Sequence, residues 1–256
     1  MAMKVVDINC DLGESYGQSR VGQDELLMPL LSSANIACGF HGGDPTTMHH
    51  TVRLAQTHGV SIGAHPSYPD LMGFGRRRMD LSPQEVYDSM LYQMGALSGF
   101  ARAAGVPLRH VKPHGALYNE AARNSGIASA IVNSIYYFDR DLILFGPPGS
   151  ALETAARETG LKFFREVFAD RTYQSDGSLT PRSHPGSLIS EASDAIRQVD
   201  EILLRGQVTC VDGRQIPMAA DTVCIHGDGV HAVELLSALH RHLKDIGIEI
   251  TSTPSS

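Results

Sequence analysis

The side chains of this sequence that could perform chemistry are concentrated in short polar strings that also contain glycine or proline. The strings carry histidine, carboxylate, lysine and arginine groups, and they cover residues 9–14, 38–44, 65–70, 73–76, 112–119, 166–171 and 226–228. Such groups transfer protons and stabilise developing charge in hydrolytic reactions. If the strings meet in space, they predict an active-site cleft.

Each string follows or overlaps a short apolar run that is typical of a β-strand. The predicted strands cover residues 4–9, 33–37, 60–64, 108–112, 142–145, 162–168 and 222–226. Helix signals fall in segments 45–58, 82–104, 150–159 and 229–246, with Asp44 as the predicted N-cap of the first and a predicted Ser82/Glu85 capping box at the start of the second. Strand followed by helix, repeated about seven times, predicts a parallel sheet with outer helices, and composition does not separate a closed barrel from an open sheet. Because the carboxyl ends of parallel strands share one face, the strings are expected to converge there.

Length and composition are those of one α/β domain over residues 1–256. Hydrophobic residues make up 42% of the chain, which is enough for a large core. Segment 206–218 carries Asp212-Gly213 between two β-like arms and predicts a small hairpin insertion. A net charge of −7 without a basic stripe argues against nucleic-acid binding. No apolar run is long enough to predict a membrane span.

The cysteines indicate a reducing environment. There are four, they form no C-x-x-C pair, and we expect them to be buried free thiols of a cytoplasmic protein. The first ten residues do not resemble a signal peptide. A homo-oligomer is compatible with the sequence.

Five of these strings, in order, are specific enough to resemble a known family. They are DINCDLGE (7–14), SANIACGFH (33–41), GAHPSYPD (63–70), HVKPHGALYN (110–119) and EVFADR (166–171). They resemble the LamB/YcsF family of 5-oxoprolinase A subunits. The resemblance implies a distorted (β/α)7 TIM-like barrel, grouped with glycoside hydrolases and polysaccharide deacetylases. It also implies ATP-dependent hydrolysis of 5-oxo-L-proline to L-glutamate, with Mg²⁺ and two partner subunits, B and C.

The source of ATP activation is not evident in the sequence. The chain lacks the G-x-x-x-x-G-K-[ST] phosphate loop. The string Gly-Pro-Pro-Gly-Ser at 146–150 precedes a predicted helix and is a weak candidate for an anion site. We therefore expect the partner subunits to contribute to activation.

The strings supply candidates for each step of ring opening. For proton transfer we predict Asp11, His65 and His114, and for charge stabilisation Lys112. The predicted substrate-binding residues, with Arg76 or Arg171 holding a carboxylate, are Asn9, Glu14, His41, Arg76, Glu166, Arg171 and His226.

Two other interpretations remain open at this point. Asp11, His41 and His65 are ligand types that hold Zn²⁺ or Mn²⁺, so a bound divalent metal is possible. The chain could then be a stand-alone metal-dependent deacetylase or amidohydrolase. Alternatively, the cleft could bind a small carboxylate without turning it over.

Overall fold

The structure is a computed structural model that describes residues 4–252. Its strands are β1 (Val5–Leu12), β2 (Ser33–Ala37), β3 (Ser61–His65), β4 (Leu108–Val111), β5 (Ile143–Gly146), β6 (Lys162–Phe168), β7 (Gln207–Thr209), β8 (Gln215–Pro217), β9 (Thr222–Cys224) and β10 (Glu249–Ile250). Its α-helices are α1 (Asp24–Leu27), α2 (Pro45–His58), α3 (Pro83–Ala103), α4 (Gly115–Ala121), α5 (Ser125–Phe138), α6 (Ala151–Thr159), α7 (Ala192–Arg205) and α8 (Ala232–Asp245). A 3-10 turn (Met28–Leu30) follows α1.

Seven parallel strands close into a barrel. Their order is β1-β2-β3-β4-β5-β6-β9, and β9 pairs back onto β1 through Asp7–Asn9. The short β10 extends the sheet beside Val5 and Val6 of β1. The predicted distorted (β/α)7 TIM-like barrel, with a parallel sheet and outer helices, is therefore confirmed, and the choice between closed barrel and open sheet is decided by the β1–β9 pairing.

Strand β1 presents two chemically different faces. Val6, Ile8, Cys10 and Leu12 are buried in the hydrophobic core that the strands share with the outer helices. The residues between them are polar, equally buried, and contact side chains of other strands; they are Asp7, Asn9 and Asp11. Since side chains alternate across a strand, one face of β1 packs against helices and the other lines the barrel interior.

Hydrogen bonds connect the polar interior across both adjacent and non-adjacent strands. The Asn9 amide donates to Thr222 (2.7 Å), and the Asn35 amide donates to Asn9 (2.7 Å). A ring nitrogen of His110, on β4, lies 2.8 Å from Asn35 Oδ1 on β2. The His110 ring reaches Asn35 because the intervening strand carries Gly63, where a Cβ would lie 2.0 Å from His110 Nε2.

At the base of this network, burial raises the pKa of Asp7 to about 6. Its carboxyl group accepts hydrogen bonds from the hydroxyls of Ser32, Ser33 and Thr222. These bonds partly offset the cost of burying an acid.

The helix boundaries follow the predicted capping signals. Asp44 caps α2 by accepting from the amides of Thr46 and Thr47 at 2.9 Å each. Ser82 and Glu85 form the predicted capping box of α3. The sequence analysis did not predict α4, α5 or α7, and α5 is the most apolar of the three. Its sequence is buried on most sides, so it lacks a clear amphipathic period.

The structure tests several predictions about individual segments and residues. Strand β1 runs to Leu12, three residues beyond the predicted end, so Asp11 lies within the strand. An antiparallel hairpin of β7 and β8 occupies the segment predicted as an insertion. All four cysteines are unpaired and buried. Across residues 4–252, every helix is too short or too polar to cross a membrane. The single-domain assignment of 1–256 stays a prediction, since residues 1–3 and 253–256 lie outside the described range.

We predict that Gly63→Ala destabilises the barrel by about 1–3 kcal/mol, because the new methyl group overlaps the His110 ring. That ring is stacked on Phe145 at 4.2 Å and bonded to Asn35, so it cannot easily move. The matched control is Gly95→Ala in α3, where the added Cβ meets no atom of the described chain within 4 Å and should stabilise by about 0.5–1 kcal/mol. Urea unfolding of both variants tests this, and equal stabilities would contradict it.

Candidate active site

A cavity of about 430 Å³ opens at the carboxyl end of the barrel strands. Seven of the eleven predicted site residues line it: Asp11, His65, Arg76, Lys112, His114, Arg171 and His226. The other four are buried and lie behind these side chains, namely Asn9, Glu14, His41 and Glu166. The structure therefore brings all the predicted site residues to one end of the barrel.

The Lys112 ammonium joins three strands beneath the cavity. It lies 2.9 Å from Asp11 Oδ1 on β1 and 2.8 Å from Glu166 Oε1 on β6. The second contact is an ion pair, and apart from it the Glu166 oxygens have no hydrogen-bond partner among residues 4–252. Lys112 Nζ also lies 3.1 Å from the Cys224 sulfur and 5.3 Å from the centre of the Phe168 ring.

Opposite charges outweigh burial at this ion cluster. Burial alone would raise the pKa of Asp11, but His65 and Lys112 hold that pKa well below its usual range. Burial alone would lower the pKa of Lys112, but Asp11, Cys224 and Glu166 hold that pKa well above its usual range. Both groups are therefore charged near neutral pH, and Lys112 presents a fixed positive charge to the cavity.

His65 and His114 face each other through nitrogen lone pairs. His65 Nδ1 is 2.7 Å from the Lys112 carbonyl and His114 Nε2 is 2.9 Å from the Phe74 carbonyl. A carbonyl only accepts, so each of those nitrogens carries the ring hydrogen. The remaining nitrogens, His65 Nε2 and His114 Nδ1, are 2.9 Å apart, a contact that requires a proton or a metal ion between them.

Glu14 and His41 form a second pair beside these rings. His41 Nε2 is 3.0 Å from Glu14 Oε1, and His114 Nδ1 is 3.6 Å from the same oxygen. Burial, with a contribution from Asp11, raises the pKa of Glu14 to about 8. Glu14 is thus mostly protonated at neutral pH and can donate a hydrogen bond to His41. Two nearby carboxyl groups, Asp11 and Glu14, therefore hold opposite protonation states.

The metal-capable group differs from the predicted one. Glu14, His41, His65 and His114 each offer a ligand atom, and these atoms lie within 4.8 Å of one another. Asp11 is outside this group, since Lys112, Asn35 and His65 occupy its oxygens. The residue types suit a divalent metal. However, the His41 and His114 rings are stacked 3.8 Å apart and parallel within 4°. An ion in the plane of one ring lies outside the plane of the other, so the four residues do not fit one ion as they stand.

Arg76 and Arg171, the two arginines predicted to bind a substrate carboxylate, both contact other groups of this chain. Arg171 is buried and donates to the backbone carbonyls of Thr180 (2.6 Å) and Ser187 (3.3 Å), so it holds the loop between β6 and α7. Arg76 pairs with Asp228 and lies over the Phe74 ring at 4.8 Å. Arg76 retains access to the cavity, but Arg171 has a structural role that the sequence did not indicate.

The sequence analysis missed four residues of the site. Asp170 accepts from the backbone of His226 and lies 2.8 Å from its ring Nδ1, which orients that ring. Arg123 and Arg182 line the cavity, and neither guanidinium forms an ion pair or hydrogen bond with a side chain of residues 4–252. Tyr118 is buried beside Glu166. Asp170 and Tyr118 belong to the sequence motifs at 166–171 and 110–119, whereas Arg123 and Arg182 lie outside every motif that the sequence analysis identified.

The predicted anion site at 146–150 is partly occupied by the chain itself. The Glu153 carboxylate accepts from the Gly149 amide at 2.6 Å, and Ser150 caps Glu153 in return. A carboxylate from the helix thus competes with an incoming anion for the Gly149 amide, and the anion site stays a prediction.

Known proteins resemble this sequence over nearly its whole length. The LamB/YcsF family model matches residues 6–256. The chain belongs to the LamB/YcsF family. A relative from Symbiobacterium thermophilum, named as the A subunit of 5-oxoprolinase, is 51% identical over 248 residues, which is 97% of this chain and 95% of the relative. A second relative of the same name, from Bacillus subtilis, is 52% identical over 96% of both chains.

Solved structures agree with this family membership. The crystal structure of the lactam utilization protein from Thermus thermophilus is 48% identical, with a TM-score of 0.92 over 97% of this chain and all of that one. A peptidoglycan N-acetylglucosamine deacetylase domain from Eubacterium rectale has a TM-score of 0.53 at 10% identity, and the match covers all of this chain and 91% of that one. That second likeness shows a shared barrel fold and nothing about activity.

We predict that Lys112→Met lowers the free energy of unfolding of this LamB/YcsF protein by about 3–5 kcal/mol. The change leaves Asp11 and Glu166 buried without their cation. Lys162→Met, the same change at an exposed position of β6, should alter stability by less than about 0.5 kcal/mol. Adding Glu166→Gln to Lys112→Met should recover part of the loss. Urea unfolding measures all three, and a Lys112→Met variant as stable as wild type would contradict the prediction.

Proposed function

We propose that this chain is the A subunit of a 5-oxoprolinase and that its cavity carries out hydrolytic opening of 5-oxo-L-proline to L-glutamate. The family relatives that carry the name of this A subunit, and that align over nearly the whole chain, support this function. The observation that carries it in the molecule is the buried proton-transfer group of Asp11, His65 and His114 beside the Lys112 cation, at the wall of a cavity that suits a small cyclic amide.

The charges support a hydrolytic role for each group. Water attack on the lactam carbonyl places negative charge on its oxygen, and the Lys112 ammonium can stabilise that charge. Arg76, Arg123 and Arg182 at the cavity wall can bind the substrate carboxylate, with Arg123 and Arg182 available without breaking an internal pair. Arg171, held by backbone carbonyls, keeps the loop in place for these contacts.

The His65–His114 pair is suited to hold a proton that is exchanged with the reacting groups during ring opening. Without a proton, two lone pairs face each other at 2.9 Å, which favours proton uptake, and Asp11 lies 3.3 Å from His65 Nε2 to stabilise the charge. Burial opposes that charge and lowers the pKa of His114 well below its usual value. These opposing effects let the pair gain and lose a proton.

ATP coupling is assigned to the assembled enzyme. The Gly149 amide of the Gly-Pro-Pro-Gly loop is bonded to Glu153, and the sequence has no phosphate loop, so we propose that the partner subunits B and C, with ATP and Mg²⁺, supply the activation. The cavity of this chain would then receive 5-oxoproline or its activated form.

We expect glutamate to form from 5-oxo-L-proline only when this chain, ATP, Mg²⁺ and both partner subunits are present. Asp11→Asn should reduce that rate by about 100-fold or more, because His65 loses its charged partner. Asp80→Asn, the same change at an exposed position, should leave the rate unchanged.

Other outcomes of this assay identify the rival functions. Turnover by the isolated chain that needs no ATP and is lost on chelation would indicate a stand-alone amidohydrolase or deacetylase. Substrate binding without turnover in the complete, folded mixture would indicate a binding protein.

The cation between His65 and His114 is proposed to be a proton, because the stacked His41 and His114 rings do not fit one metal ion. We therefore expect protein purified without chelators to contain well under one equivalent of zinc or manganese by elemental analysis. A metal content close to one equivalent would contradict this if it is lost in His65→Ala and retained in His58→Ala, a variant at the exposed end of α2. That result would indicate a metal held by His65, Glu14 and one of the stacked rings in place of the proton.

A further inference from the structure

A second cavity, of about 310 Å³, adjoins the first at Phe168. The two cavities share lining residues, among them Tyr118, Asn119 and Phe168. The walls of the second cavity combine apolar side chains, such as Pro147 and Tyr173, with polar ones. It is therefore a small pocket of mixed polarity that adjoins the proposed reaction site.

Two polar groups at this pocket are buried without a hydrogen-bond partner. Both carboxylate oxygens of Glu166 and the Tyr118 hydroxyl lack a partner within residues 4–252, and the two residues are 1% and 4% exposed. Buried polar atoms in folded proteins are nearly always satisfied, so an unmade hydrogen bond here indicates a ligand or an ordered water. The other tyrosine of the pocket differs, since the Tyr173 hydroxyl already accepts from the Phe168 amide at 2.8 Å.

The chemistry of the two groups specifies what they can receive. An ionised carboxylate only accepts hydrogen bonds, and the Lys112 contact neutralises its charge from one side, at Oε1. Burial, and then the nearby Glu166 carboxylate, raise the pKa of Tyr118 well above its usual value, so its hydroxyl keeps its proton and still offers lone pairs. The two groups are close enough for this effect. A small ligand that fits both groups carries N–H donors.

The geometry points to Glu166 and Tyr118 as a nitrogen subsite, which binds the ring N–H of the lactam and then the ammonium group of the amino-acid product. This assignment rests on the proposed function and adds the orientation of the substrate. The ring carbonyl would face Lys112, and the ring nitrogen would face the second cavity. The ammonium formed on ring opening would donate charge-assisted hydrogen bonds to the Glu166 carboxylate, which favours the amine product over neutral analogues.

The test compares ligands that differ only at nitrogen. Calorimetric titration of the full chain with L-glutamate and with glutarate, which lacks the ammonium group, measures the preference for nitrogen. A second matched pair is 5-oxo-L-proline and its lactone analogue, 5-oxotetrahydrofuran-2-carboxylate, in which an oxygen atom replaces the ring N–H group. We expect wild type to prefer each nitrogen ligand by about tenfold to a hundredfold, the range of a hydrogen bond to a charged group.

Variants assign that preference to individual groups. Glu166→Gln should remove most of it and Tyr118→Phe should reduce it severalfold, with glutarate binding little changed in both. Tyr173→Phe is the matched control: it removes a hydroxyl from the same pocket and should lower thermal stability while keeping the preference. Circular dichroism checks folding, and Tyr118→Phe keeps the test valid if Glu166→Gln does not fold.

The outcomes separate this assignment from the proposed function. No preference in wild type, or a preference that survives both Glu166→Gln and Tyr118→Phe, overturns the nitrogen subsite even when the assembled enzyme makes glutamate. A preference lost in those variants supports the subsite even when the assembled mixture shows no turnover, because binding needs neither ATP nor the partner subunits.

Discussion

The ammonium group of Lys112 is the interaction on which the rest of this site depends. It follows β4 and contacts carboxylates on β1 and β6, strands that do not neighbour β4 in the barrel. Two buried carboxylates without a cation between them would repel each other and destabilise the mouth of the barrel. With Lys112 in place, Asp11 stays ionised because Lys112 and His65 hold its pKa low, and it can in turn support a positive charge on His65.

The central pair of this group compensates its own buried charge. Asp11 is negative and Lys112 is positive, because each favours the charged form of the other. Glu14, whose pKa is raised to about 8 by burial and by Asp11, stays out of this balance by remaining protonated. A site arranged in this way holds several ionisable groups in a small buried volume without a large uncompensated charge.

Phe168 lies where the two cavities of the site adjoin and lines both of them. Its ring stacks on His226 at 5.2 Å, meets Tyr118 edge-on at 6.0 Å and lies 5.3 Å from the Lys112 ammonium. The first cavity is lined by the histidines and the second by Glu166, and Tyr118 lines both. A small lactam placed against this ring would present its carbonyl and its nitrogen to different groups, which is what directed ring opening requires.

The sequence by itself determined the features that depend on local order. The apolar runs located the seven barrel strands, Ser82 and Glu85 located the start of α3, and the polar strings identified the family and the end of the barrel that carries the site. These features are encoded within a few residues, since strand periodicity, capping and strings at strand ends are local patterns.

Only the tertiary structure decided how those residues are used. Barrel closure depends on β1 pairing with β9, near the other end of the chain, and the role of Arg171 depends on carbonyls of a loop with no regular pattern. The grouping of Glu14 with His41, and of His65 with His114, likewise follows from contacts between separate strands. A one-dimensional pattern places a side chain at a strand end, but its partner, and hence its charge and function, is set by the packing of residues distant in the chain.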